Sequence, residues 1–83
     1  MTTTGCSFSE VKKGMRAKVV SISDDTPELK RLIEMGLTIG TEFRVIKVAP
    51  FGDPVEIELR GYRLCMRKVE AGGIRIEVLE DVA

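Results

Sequence analysis

Apolar and polar positions alternate with a period of two through most of this chain, and one short stretch switches to a helical period. Arg16 to Ser23 is predicted as a strand: it is rich in β-branched residues, with Ala17 and Val19 on one face against Arg16 and Lys18. Val20 and Ile22 then shift the apolar phase, as a bulge or a strand covered on both sides would. Leu29, Leu32 and Ile33 follow at i, i+3, i+4 spacing and form one apolar helical stripe. Thr26 suits the N-cap, Pro27 the first helical position and Glu28 the positive end of the helix dipole. Gly36 is the expected stop. Strand signals then resume. Thr41 to Val48 places Phe43 and Val45 on one face. Val55, Ile57 and Leu59 alternate with Glu56, Glu58 and Arg60. Tyr62, Leu64 and Met66 alternate with Arg63, Cys65 and Arg67, and Ile74, Ile76 and Val78 with Arg75 and Glu77.

The links between these segments are short. Ala49-Pro50-Phe51-Gly52-Asp53-Pro54 is a turn marked by two prolines and a glycine, and Gly61 turns the chain again. Lys68 to Ala71 fits a single helical turn ended by Gly72-Gly73. Near the start, Phe8 and Val11 drop onto the core before Gly14 breaks the chain. Residues 1–7 are small and polar and read as a flexible tail, leaving residues 8–80 as one domain. The result is an all-β chain of about five strands with one short inserted helix. So small a sheet is safest with its edges closed, which points to a small SH3-like β-barrel.

Composition narrows the function more than the fold. With 83 residues the core is thin, and burial covers only about 60–65% of the unfolded surface. Lys and Arg number 13 and Asp and Glu 13, so the basic excess of a nucleic-acid binder is missing. A local patch of Arg60, Arg63, Arg67 and Lys68 competes with a charge-balanced face shared with Glu56, Glu58 and Glu70. No apolar run approaches the roughly 20 residues of a membrane helix, and Met1 to Gly5 lacks signal-peptide features. The expectation is a cytoplasmic protein that is not inserted in a membrane and binds no nucleic acid. Cys6 and Cys65 are then expected as thiols.

Catalytic chemistry finds little footing. The chain has no histidine, which removes the commonest general base and metal ligand. No serine or cysteine has a histidine to activate it, and no phosphate-binding glycine loop is present. Asp24-Asp25 reads as a loop feeding the helix start rather than a metal or acid/base pair. Two thiolates, Cys6 and Cys65, without a third ligand make a weak metal site. The expectation is no enzyme, no cofactor and no metal site within one chain. A binding or interaction module remains.

Four stretches in order carry a more specific signal: Phe8-Ser9-Glu10-Val11-Lys12-Lys13-Gly14; Arg31-Leu32-Ile33-Glu34-Met35-Gly36-Leu37 with Gly40-Thr41; Ala49 to Pro54 with Arg60-Gly61; and Met66-Arg67, Glu70-Ala71, Ile74 and Ile76. Together they resemble the FeoA family from about Phe8 to Val78. Ile39 stands where the family often has proline, Met66 where it usually has leucine, and Gly72-Gly73 loosens one turn. The resemblance implies an SH3-like barrel acting in bacterial ferrous iron uptake, as an accessory of FeoB, the membrane transporter with a cytoplasmic GTP-binding domain. A similar domain ends metal-dependent repressors of the diphtheria toxin repressor type. A free-standing regulatory module binding a peptide or a transition metal ion is therefore the alternative.

For docking on a FeoB-type transporter, the candidate surface is Leu37, Ile39, Pro50, Phe51, Pro54 and Arg67. The apolar members lie in the two longest connections, beside glycines that hold turn shapes, and a large side chain on a rigid loop is a plausible anchor. The competing expectation is that Leu37 and Phe51 plug the two ends of the barrel. A proline-binding groove is poorly served, since the aromatic residues are Phe8, Phe43, Phe51 and Tyr62 alone. Oligomeric state stays open, with a weak homo-oligomer, and iron held between copies, among the options.

Overall fold

The alternating segments become the strands of one antiparallel sheet. The computed structural model describes residues 6–23 and 26–80. In chain order the strands are β1 (Cys6–Ser7), β2 (Arg16–Ile22), β3 (Glu42–Val48), β4 (Val55–Leu59), β5 (Tyr62–Met66) and β6 (Ile74–Glu80). One helix, α1 (Pro27–Glu34), follows β2, and two 3-10 helices span Phe8–Glu10 and Lys68–Ala71. The order across the sheet is β1-β6-β2-β3-β4-β5, so the first and last strands in sequence are neighbours. Every ladder is antiparallel.

The phase slip in β2 has the predicted origin. The β2–β6 register shifts between Val19 and Ser21, so Val19 stays buried while Val20 is exposed. The sixth strand was not expected. Cys6 and Ser7, which the sequence places in the tail, pair with Ile76 and Arg75 of β6. Ser7 also caps the first 3-10 helix by accepting the Ser9 N–H at 3.2 Å. Two residues carry no period, so composition alone misled. The remaining tail, residues 1–5, and the Asp24-Asp25 loop lie outside the described residues.

Helix α1 starts as its sequence requires. The Thr26 hydroxyl accepts the Leu29 N–H at 3.1 Å, Pro27 opens the helix, and Leu29 and Leu32 are buried. Its end explains a side chain that the sequence left undecided. Gly36 takes φ +109, the Gly36 N–H donates to Ile33 O at 3.0 Å, and the Leu37 N–H donates to Leu32 O at 3.1 Å. This is a Schellman C-cap, whose second residue beyond the cap packs back on the helix. Leu37 is accordingly 0% exposed.

The buried faces meet in one core that includes Phe8, Ala17, Val19, Leu29, Phe43, Ile57 and Ile76. Phe8 and Phe43 pack with ring centroids 5.6 Å apart. Burying each such side chain contributes about 1.5–3 kcal/mol. The solvent side is laced with ion pairs, among them Arg16 Nη1–Glu42 Oε1 at 2.9 Å and Arg63 Nη1–Glu56 Oε2 at 3.4 Å. Exposed pairs of this kind contribute about 0–1 kcal/mol each, so apolar burial holds the barrel together.

Candidate functional site

Strand β3 separates the candidate residues into two groups. It leaves the Ile39 loop at Glu42 and reaches the Pro50 turn after Val48, a run of 7 residues. At about 3.3 Å per residue, the two loops stand roughly 20 Å apart along the strand. Strands β4 and β5 run between the same two ends, so the β4–β5 hairpin joins Ile39, and Arg67 joins the Pro50 turn.

The first end is built around Gly36. Its hairpin turn, Arg60-Gly61, has φ of +51 and +86, the paired positive values of a type I′ turn. This turn delivers Tyr62 against the helix end so closely that a Cβ on Gly36 would lie 2.7 Å from Tyr62 Oη. Beneath them sits Thr41, the one buried polar side chain among the described residues. Its hydroxyl donates to Gly36 O at 3.1 Å and accepts the Thr38 N–H at 3.2 Å and Arg60 Nη2 at 3.2 Å. One hydroxyl thus ties the helix end, the Ile39 loop and the hairpin. Around this frame Ile39 is 63% exposed, Met35 43% and Tyr62 41%.

The second end is built on the β3–β4 turn and the 3-10 helix at Lys68. The Gly52 N–H donates to Ala49 O at 2.7 Å and the Ala49 N–H to Pro54 O at 3.1 Å, closing the turn. The Lys68 N–H donates to Asp53 Oδ1 at 2.7 Å and fastens the turn to the 3-10 helix. Phe51 at the tip is 98% exposed and Val69 on the 3-10 helix 79%. Pro50, Pro54 and Arg67 are exposed beside them. Arg67 and Val69 also line a recess of about 430 Å³ with Thr26, Glu28 and Glu70.

The structure therefore corrects the candidate surface. Leu37 belongs to the core, because the helix cap folds it inward. Phe51 plugs nothing and projects into solvent. Pro50, Phe51, Pro54 and Arg67 are brought together, while Ile39 stands apart with Met35 and Tyr62. Met35 and Val69 are surface residues that the sequence did not single out. Val69 sits between Lys68 and Glu70 in a turn too short to show a period, and Met35 falls at the cap, where a helical stripe loses its meaning.

The basic patch weighed for nucleic acid is divided in the same way. Arg60 is engaged with Thr41 and Arg63 with Glu56, leaving Arg67 and Lys68 at the second end. Cys6 and Cys65 lie on β1 and β5, the opposite edge strands of the sheet order, and form no disulfide. Among the described residues, no group of three or more His, Cys, Asp or Glu side chains is placed to hold a metal ion. No helix there is long and apolar enough to cross a membrane.

A family model described as the FeoA domain matches residues 6–78, from β1 into β6. The chain belongs to the FeoA family. A FeoA-like protein from Clostridium acetobutylicum has the same fold, with a TM-score of 0.86 and 36% identity over 99% of this chain and 95% of that one. The zinc-complexed FeoA of Stenotrophomonas maltophilia, described as a procaryotic SH3 domain protein, matches with a TM-score of 0.74 and 26% identity over 87% of this chain and 89% of its own. The SH3-like barrel expected from the alternating strands is thus the FeoA fold. A further relative is a Fe(2+) transport protein A/Fe(2+) transporter FeoB fusion protein of Porphyromonas gingivalis strain ATCC BAA-308 / W83. It is 31% identical over 76 residues, which are 92% of this chain and 9% of that protein. The chain therefore spans a small fraction of that relative's length.

Proposed function

We propose that this FeoA chain is a non-enzymatic accessory of bacterial ferrous iron uptake that docks on the cytoplasmic, GTP-binding side of a FeoB-type transporter. The observation that carries the reading is the Porphyromonas gingivalis relative, in which a FeoA segment and a FeoB transporter share one polypeptide. Covalent fusion raises the effective concentration of two modules for each other, and persists most usefully between modules that already meet. The Stenotrophomonas maltophilia FeoA, whose description casts it as a candidate ferrous iron transport activating factor, supports the same assignment. A cytoplasmic location follows from the docking side.

The Ile39 end is the surface best suited to the transporter. Tyrosine, methionine and arginine are enriched at protein interfaces, and Met35, Arg60 and Tyr62 stand there with Ile39. The Thr41 hydrogen bonds hold that surface before a partner arrives, which lowers the ordering cost of binding. The test is titration of the purified chain into the detergent-solubilised FeoB-type transporter of the same cell, with and without GTP. Saturable binding supports the reading, and its nucleotide dependence tells whether the barrel senses the GTPase state. Absence of binding in both states overturns it.

A further inference from the structure

The Phe51 end differs from the Ile39 end in chemistry as well as position. Its largest side chain stands almost wholly in water at the tip of a turn fixed by three hydrogen bonds. Pro50 and Pro54 extend the apolar surface, and Val69 is exposed on the 3-10 helix to which Asp53 fastens the turn. Three cations flank it. Lys47 leads into the turn and lines a recess with Pro54, and Arg67 precedes the 3-10 helix. Lys68 brings its Nζ to within 3.4 Å of where a Cβ on Gly52 would lie. Asp53 is the turn's own carboxylate, and it accepts the Lys68 N–H. The neighbouring Glu56 and Glu70 are paired with Arg63 and Arg31, and Glu28 lines the recess beyond Arg67.

An exposed aromatic tip flanked by lysines is poorly matched to a protein interface, whose core is depleted of lysine. It is well matched to an anionic bilayer surface. There an aromatic ring settles at headgroup depth, and long cationic side chains lay their stems along the apolar layer with their charges on the phosphates. We propose that the Phe51 end is a membrane-surface contact, with Phe51 entering the interfacial layer and Lys47, Arg67 and Lys68 meeting anionic lipid headgroups. The contact requires no transporter, so it stands or falls independently of docking. With the Ile39 end about 20 Å away along β3, a chain held at the bilayer by Phe51 keeps its other end free for a protein partner.

The chain has no tryptophan, so Phe51→Trp places a lone tryptophan, which can be excited selectively over Tyr62, at the tip of an exposed turn. Ile39→Trp is the matched probe for the other end. Each is titrated with protein-free vesicles of phosphatidylglycerol and phosphatidylcholine, and of phosphatidylcholine alone. The expected result is a blue shift of the Phe51→Trp emission on anionic vesicles only, lost as salt is raised, with Ile39→Trp unchanged. In the otherwise native chain, Phe51→Ser should weaken vesicle cosedimentation about tenfold or more, and Lys68→Gln about fivefold. Three results would overturn the proposal: no shift on anionic vesicles, equal shifts from both probes, or a Phe51→Trp shift produced by the solubilised transporter but not by vesicles. The last would make this end a protein contact.

Discussion

Leu37 and Ile39 are two residues apart, both apolar and both next to a glycine, yet one is core and the other surface. Nothing in their composition separates them. The bond from the Leu37 N–H to Leu32 O decides the matter by turning the chain back over the helix end. Leu37→Ala should therefore cost about 2–5 kcal/mol, whereas Ile39→Ala should stay within about 0.5 kcal/mol. Urea unfolding of the two variants reads the difference. Thr41 makes a second prediction at this scale. Replacing it with valine keeps the shape but removes the acceptor for Arg60 and the Thr38 N–H, and the donor to Gly36 O. An unsatisfied buried group costs about 1–3 kcal/mol, so Thr41→Val should lower the unfolding midpoint accordingly. It should also quicken amide exchange in residues 36–41. Gly36→Ala should be worse than its size suggests, because φ is +109 and the new methyl meets Tyr62 Oη.

Among the elements, those with a repeating pattern were legible and those without one were not. Strands β3 to β6 and helix α1 announce themselves through alternation or i, i+3, i+4 spacing, and even the β2 bulge shows as a slip in apolar phase. Strand β1 does not, since its two residues become a strand only when β6 offers an edge. For α1, the signals Thr26 and Pro27 act at the positions they predict. Thr26→Ala should remove the bond to the Leu29 N–H and destabilise the protein by about 1 kcal/mol. Thr26→Asp should retain most of the stability, and thermal unfolding of the pair separates a lost cap from a general intolerance at this position.

At the scale of the whole molecule, the candidate site was only half legible. The sequence marked the two connections that carry exposed apolar groups. It could not show that a seven-residue strand holds them at opposite ends, because that separation belongs to the sheet order rather than to any one segment. The same order explains how a small charge-neutral chain can present two unlike surfaces: a Met-Tyr-Ile cluster on a hydrogen-bonded frame, and an aromatic tip among cations. The two proposals are compatible, since a partner seated in a membrane would offer a protein face to the Ile39 end and a lipid face to the Phe51 end. The most direct test of the docking claim compares the native chain with Ile39→Asp in binding to the detergent-solubilised FeoB-type transporter, with circular dichroism to verify that the variant is folded. Saturable binding by the native chain that weakens about tenfold or more in Ile39→Asp is the result expected of an interface anchor. Equal affinity of the two would contradict the assignment of the Ile39 end, and no binding by either would contradict the accessory role itself.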